Sequence, residues 1–117
     1  PAACAAGLAS LALFDRDDSF LRARALAARL EERVFDLADL PAVADIRCYG
    51  LFAGIDLRTR DGQPGLAGHE VQKRLFDAGL HLKATGDALL LAPAFVFEAA
   101  HIDEMVGILR ETLASAP

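Results

Sequence analysis

Three histidines are the side chains of this sequence best suited to acid–base or metal chemistry, namely His69, His81 and His101. A metal site needs ligands that converge. None of the three has a Cys, Asp or His at ligand spacing on its own predicted element, except that Asp103 and Glu104 follow His101. These two neighbours face other sides of that helix. His81 alternates with apolar residues, so its side chain should point away from the core. We therefore predict three surface histidines and no metal site.

The two cysteines, Cys4 and Cys48, both sit in apolar stretches. Two cysteines are too few for a disulfide framework, and their spacing fits no zinc motif. A reactive thiol would need an electropositive and partly exposed position, which neither stretch predicts. We expect two small buried hydrophobic residues in a protein of the reducing cytoplasm.

The other polar clusters have structural explanations. Asp15, Asp17 and Asp18 precede an amphipathic stretch, where such residues cap helices. Segment 61–65 contains glycines but lacks the Gly-Lys-Ser/Thr ending of a phosphate-binding loop. The sequence contains no nucleophile elbow and no Ser-His-Asp pattern. No catalytic, cofactor-binding or metal-binding residue is predicted in the chain.

Lys83 is the side chain for which a functional role competes with a structural one. It ends a short alternating stretch, just before a predicted turn at 84–87. A cation at the end of a strand beside a tight turn can project into a neighbouring cleft. A solvated surface lysine is the more common case, and the spacing alone leaves both interpretations open.

Hydrophobic periodicity predicts the elements that position these residues. Spacings of three and four indicate amphipathic helices, and alternation indicates short strands. The predicted helices cover about 2–14, 18–38, 67–78 and 98–114, and the predicted strands about 44–48, 51–57, 80–83 and 88–92. Strands joined by tight turns pair antiparallel, and helices must cover one face. The predicted fold class is α+β, a two-layer sandwich with a small, mostly antiparallel sheet covered by helices.

Several single positions carry finer predictions. Ala44 and Ile46 should share the core-facing side of the first strand. Gly54, inside the second strand, suggests a bulge or a close approach of another backbone. Gly79 is a predicted C′ glycine after the third helix, with Leu80 as its hydrophobic contact.

Composition and charge exclude several classes of protein. The chain has 117 residues, of which 54% are hydrophobic, and its 12 basic and 17 acidic side chains give a net charge of −5. This length fits one domain with a real core. An acidic protein is not expected to bind nucleic acid or an anionic membrane surface. The apolar opening run is shorter than the roughly 20 residues of a membrane span and lacks the basic start of a signal peptide.

The first predicted helix, 2–14, is apolar on every side, which indicates burial on every side. Such a helix is hard to cover within 117 residues, and the chain has no initiator Met. We therefore expect a piece of a longer protein, the rest of which covers this helix.

Four segments resemble known motifs in the same order along the chain. Segment 1–9 is similar to P-x-A-x-A-A-G-L-A, segment 46–57 to I-R-x-x-G-L-x-A-G-I-D-L, segment 83–95 to R-x-T-G-D-x-I-x-L-S-P-P-L, and segment 102–106 to I-D-E-M-V. These motifs belong to the class III aminotransferases, pyridoxal-phosphate enzymes that include the ω-amino acid (β-alanine)–pyruvate transaminases. Each motif is weak alone, but four collinear motifs are specific.

The resemblance implies that the chain is the C-terminal part of a longer fold-type I enzyme. Residues 1–16 would form the connector helix from the large, cofactor-binding domain, and residues 17–117 the small domain. The Schiff-base lysine and the groups that hold pyridoxal phosphate would lie upstream, so this piece alone is expected to bind no cofactor and to be inactive. The family also implies a homodimer that takes a small amino donor and a keto-acid acceptor such as pyruvate.

Within this resemblance Lys83 gains an implied role. It occupies the position of a family Arg that binds the substrate carboxylate, which makes Lys83 the candidate substrate-binding residue. Lysine keeps the charge but lacks the planar fork that binds a carboxylate through two hydrogen bonds.

Two alternatives remain open from the sequence. The chain could be a stand-alone α+β binding or interaction module that uses no cofactor. It could also come from a class III enzyme with another amino donor, such as ornithine or a diamine.

Overall fold

The computed structural model describes residues 1–59 and 62–115. Arg60 and Asp61 lie outside the described residues, and Asp61 is the first residue of segment 61–65. The elements are α1 (Ala2–Arg16), α2 (Ser19–Phe35), a 3₁₀ turn (Asp36–Asp39), β1 (Val43–Tyr49), β2 (Phe52–Leu57), α3 (Leu66–Asp77), β3 (Lys83–Thr85), β4 (Ala88–Leu91) and α4 (Ala99–Ala114).

The described strands form one antiparallel sheet in the order β1-β2-β4-β3. Helices α2, α3 and α4 cover one face of it, because this packing buries their apolar stripes against the inward-facing apolar residues of the strands. The predicted α+β two-layer sandwich is confirmed.

The core lies between the sheet and these helices. Leu30 of α2, Ile55 of β2, Leu89 of β4 and Leu109 of α4 are all fully buried. Full burial of one such side chain contributes about 1.5–3 kcal/mol, so the core rather than helix propensity holds the layers together.

The opposite face of the sheet is uncovered by any described helix. A row of cross-strand pairs runs across it from Arg47 through Gly54 and Leu90 to Lys83. Gly54 is paired regularly on both sides, so the predicted bulge at Gly54 is wrong. A Cβ at Gly54 would lie 3.8 Å from Arg47 Nη2 and 4.0 Å from Leu90 Cδ2, both ordinary contacts with side chains rather than backbone.

The irregularity of the sheet lies instead in β1, where the register shifts between Val43 and Asp45. This shift moves Ala44 out of the alternation. Val43 and Ile46 are buried and Ala44 is exposed, so the predicted inward position of Ala44 is wrong.

Helix α1 forms as predicted, but none of its residues is buried. Leu8 and Leu11 are 69% and 63% exposed, and Cys4 is exposed as well. No described element covers α1, so its expected cover by another part of a longer protein stays a prediction. Cys4, which was expected to be buried, is exposed in this chain. Only the C-terminal end of α1 is packed, where Phe14 meets Phe20 and Phe95 at ring-centre distances of 5.5 and 5.8 Å.

The acidic cluster between α1 and α2 does not cap α2 through its side chains. Asp18 holds the N-cap position but has φ = 48° and makes no side-chain capping hydrogen bond. Ordinary N-caps have extended backbone, which aims the side chain at the helix amides. Asp17 is engaged elsewhere, since it accepts a hydrogen bond from Arg16 Nε at 2.7 Å.

The end of α3 follows the prediction. Gly79 has φ = +93°, its N–H donates to the Phe76 carbonyl at 3.0 Å, and the Leu80 N–H donates to the Leu75 carbonyl at 2.8 Å. This is the Schellman pattern of a C′ glycine. None of the helices in residues 1–59 and 62–115 combines the length and apolar character needed to cross a bilayer.

Candidate functional site

Lys83 begins β3 rather than ending a strand at 80–83. The Schellman turn after α3 occupies the residues before it, and Leu82 is buried in the core while Lys83 is exposed. Lys83 pairs with Leu90, and the hairpin loop to β4 contains only Gly86, with φ = +58°, and Asp87. The predicted turn at 84–87 is therefore shorter than expected, because Thr85 still pairs with β4.

A cleft of about 540 Å³ opens at this end of the sheet, and Lys83 lines it. Its walls are mainly apolar and come from β2, β4, the following loop and α4, with Phe52, Leu90, Pro93, Phe97 and Met105 among them. His81 is the other ionisable residue of the described lining. An apolar cleft with a cation at its edge can hold a small molecule that has a carboxylate at one end.

Asp87 is a residue that sequence reasoning assigned only to a turn. Its Oδ1 accepts a hydrogen bond from the Gly68 N–H at 3.1 Å and its Oδ2 accepts one from the Thr59 hydroxyl at 2.9 Å. Hydrogen bonds from the backbone amides of Gly65 and Gly68 hold the pKa of Asp87 below its ordinary value, and Thr59 adds to this effect. The carboxylate thus occupies the N-terminus of α3, where the helix dipole favours negative charge.

Gly68 permits this contact between the helix and the hairpin. A Cβ at Gly68 would lie 2.0 Å from the Gly86 carbonyl oxygen and 3.1 Å from Asp87 Cα. Any side chain would therefore force the hairpin away from α3. Nothing in the linear sequence signals the pair, since Gly68 and Asp87 are 19 residues apart.

The three histidines are exposed, as predicted. His69 and His81 line one shallow groove of about 230 Å³, in which the His81 ring meets Phe76 edge-on at 5.8 Å. His101 instead completes a capping box: its Nδ1 accepts a hydrogen bond from the Glu98 N–H at 3.0 Å. Across the described part of the chain, no three His, Cys, Asp or Glu side chains group in a way that could hold a metal ion.

Cys48 is half-buried, so the predicted burial is met in part for Cys48, whereas Cys4 is exposed. Burial raises the pKa of the Cys48 thiol, and the negative charge of Glu31 raises it further. Both effects keep the thiol protonated, which makes it a poor nucleophile.

Asp103 ties α4 to α2. It accepts two hydrogen bonds from Arg29, at 2.9 and 3.0 Å, and one from Arg33 at 3.1 Å. These contacts, led by the hydrogen bond from Arg29, lower the pKa of Asp103. The role is structural: it fixes α4, which carries Met105 into the wall of the cleft.

Known proteins similar to this chain are found both by sequence and by structure. An omega-aminotransferase of Caulobacter vibrioides is 43% identical over 97% of this chain and 26% of its own length, and a beta-alanine–pyruvate aminotransferase of Pseudomonas aeruginosa is 33% identical over 97% and 25%. A solved structure of a transaminase with L-Ala superimposes with a TM-score of 0.86 at 29% identity, covering 91% of this chain and 26% of that one.

The chain thus spans about a quarter of the length of the curated relatives that it matches. The family profile of class-III aminotransferases matches residues 1–113, which include α1, the sheet, Lys83 and Asp87. With the sequence motifs, the fold and the profile in agreement over nearly the whole length, the chain belongs to the class-III aminotransferase family.

Proposed function

We propose that this chain is the C-terminal part of a pyridoxal-phosphate-dependent transaminase that moves an amino group from an ω-amino acid or amine to pyruvate. Lys83 contacts the carboxylate of the keto-acid acceptor. The observation that carries the proposal is the position of this cation at the edge of an apolar cleft, on the strand that bears the family motif. The relatives named for ω-amino acid and β-alanine–pyruvate chemistry support the choice of substrates.

The described residues do not fit a complete pyridoxal-phosphate site. Such a site needs a lysine for the cofactor, a carboxylate for the pyridine nitrogen and donors for the phosphate. The lining of the Lys83 cleft contains no Asp or Glu among the described residues, and Lys73, the other lysine, is bound to Asp77 at 2.9 Å on the surface of α3. We propose that the cofactor is held by an upstream part of the polypeptide and that this piece alone is inactive.

The exposed apolar surface of α1 supports a proposed division of the chain into two parts. Residues 1–16 are a connector helix whose exposed apolar surface meets the upstream domain, and residues 17–117 are the small domain that closes over the substrate. In the whole enzyme we propose a homodimer located in the cytoplasm.

Replacing Lys83→Arg in the full-length enzyme tests the role of Lys83. Arginine offers two parallel hydrogen bonds to a carboxylate, so we expect the KM for pyruvate to fall about twofold to tenfold. Lys73→Arg is the matched control, because it makes the same chemical change outside the cleft. An unchanged KM in the Lys83 variant would contradict the proposed contact.

The cofactor proposal has a separate test on the chain alone. The chain is incubated with pyridoxal phosphate and reduced with borohydride, and its intact mass is then measured by mass spectrometry. We expect no specific stoichiometric adduct. A stoichiometric adduct on one lysine would refute the statement that the cofactor site lies upstream.

A further inference from the structure

The strand that carries Lys83 is weakly held by the sheet itself. β3 has three residues and lies at the edge of the sheet, where β4 is its one partner among the described strands. A short edge strand with few ladder hydrogen bonds is free to open locally, so other contacts must fix the direction in which Lys83 projects.

Helix α3 supplies such contacts on both sides of Lys83. Before it, the side chain of Gln72 donates a hydrogen bond from Nε2 to the Leu82 carbonyl at 3.0 Å. After it, Asp87 accepts the Gly68 N–H at 3.1 Å. The backbone on either side of Lys83 is therefore fastened to the same helix.

The contact after Lys83 is close because the backbone of the hairpin packs directly against the backbone of α3 at Gly68, with no side chain between them. The Gly86 carbonyl oxygen occupies the space where a Cβ of Gly68 would stand. The Asp87 backbone carbonyl also accepts the Leu57 N–H at 2.8 Å, which joins the turn to the end of β2. The turn after Lys83 is thus fixed from two directions.

We propose that Gln72 and Asp87 are positioning residues for Lys83, which hold β3 against α3 so that the Lys83 ammonium meets the acceptor carboxylate. Neither side chain belongs to the lining of the cleft, so both act through Lys83. This inference rests on the proposed function, because it assumes that Lys83 contacts the substrate.

Steady-state kinetics of the full-length enzyme test the inference with two acceptors. Pyruvate carries the carboxylate, and propanal is an acceptor of similar size without one. For Asp87→Asn and Gln72→Met we expect the KM for pyruvate to rise about threefold to tenfold, while kcat/KM for propanal changes less than twofold. In a Lys83→Ala background neither change should raise the pyruvate KM further.

Asp103→Asn is the matched control. It removes the charge of another hydrogen-bonded carboxylate, but one that joins α2 to α4. We expect it to lower the melting temperature without distinguishing pyruvate from propanal.

The outcomes separate this inference from the proposed function. A Lys83→Ala variant with an unchanged pyruvate KM would overturn both. A raised KM in Lys83→Ala, with normal values in both α3-contact variants, would overturn only the positioning roles. Equal losses with both acceptors, additive to Lys83→Ala, would show that the two residues merely stabilise the fold. Gln72→Met keeps the test decisive should Asp87→Asn fail to fold.

Discussion

Gly68→Ala should be among the most destabilising single-methyl additions in this chain. The added Cβ would meet the Gly86 carbonyl oxygen at 2.0 Å, its carbon at 3.0 Å and Asp87 Cα at 3.1 Å. All three atoms are backbone, so no side chain can turn aside. An ordinary separation between the added Cβ and the Gly86 carbonyl oxygen would be about 3.5 Å. The hairpin would therefore have to move by more than about 1 Å.

The expected cost follows from measured effects of overpacking. Extra methyl groups in well-packed sites cost about 1–3 kcal/mol, and a clash with backbone belongs in the upper part of that range. We expect Gly68→Ala to lower the free energy of unfolding by about 2–3 kcal/mol. For a domain whose total stability is about 5–15 kcal/mol, this is a large share.

Urea unfolding followed by far-UV circular dichroism measures this difference, with Gly107→Ala as the matched control. Gly107 lies inside α4, and a Cβ there would meet nothing within 4 Å. In the control the free energy of unfolding should rise by up to about 1 kcal/mol, because alanine is a better helix former than glycine. If the free energy of unfolding of Gly68→Ala lies within about 0.5 kcal/mol of that of the original chain, the described contact between α3 and the hairpin is refuted.

Three further predictions concern other parts of the molecule. Leu109 is fully buried, so Leu109→Ala should cost about 2–5 kcal/mol in the same urea assay, and a cost below 1 kcal/mol would contradict its place in the core. Because the folded pKa of Asp103 is lowered, its stabilising effect is present above the unfolded value of about 3.9 and is lost as the pH falls through the folded pKa. Melting temperatures from pH 6 to pH 2.5 should therefore fall less steeply in Asp103→Asn than in the original chain, and parallel curves would contradict this. The exposed leucines of α1 should make the isolated chain self-associate, whereas a Leu8→Glu/Leu11→Glu variant should remain monomeric by light scattering at the same concentrations.

The elements that the sequence predicted well are those whose apolar pattern decides their burial. The stripe of α4 is a clear case: Ile102, Val106 and Leu109 recur at helical spacing and are all buried. The fold class followed because alternating strands between such helices have few other ways to bury one face. The family motifs added Lys83 as a candidate, which its spacing left undecided.

The predictions that failed depend on contacts between distant or absent neighbours. Ala44 has the right type for the core face, but a register shift next to it turns it outward. Cys4 lies on a helix for which no described surface provides cover. The contacts of Asp87 join residues 19 and 28 positions apart, so no local pattern could reveal them.

If Lys83 has the proposed role, the contacts of α3 link stability to acceptor binding. A three-residue edge strand makes few ladder hydrogen bonds, and the positioning of Lys83 that we propose relies on α3. That helix is in turn fixed to the core by Val71 and Leu75, which are 3% and 0% exposed. Changes at the contact of α3 with the hairpin should therefore weaken stability and acceptor binding together. Cavities elsewhere in the core should reduce stability while leaving the preference for a carboxylate acceptor intact, because they do not touch either fastening of β3.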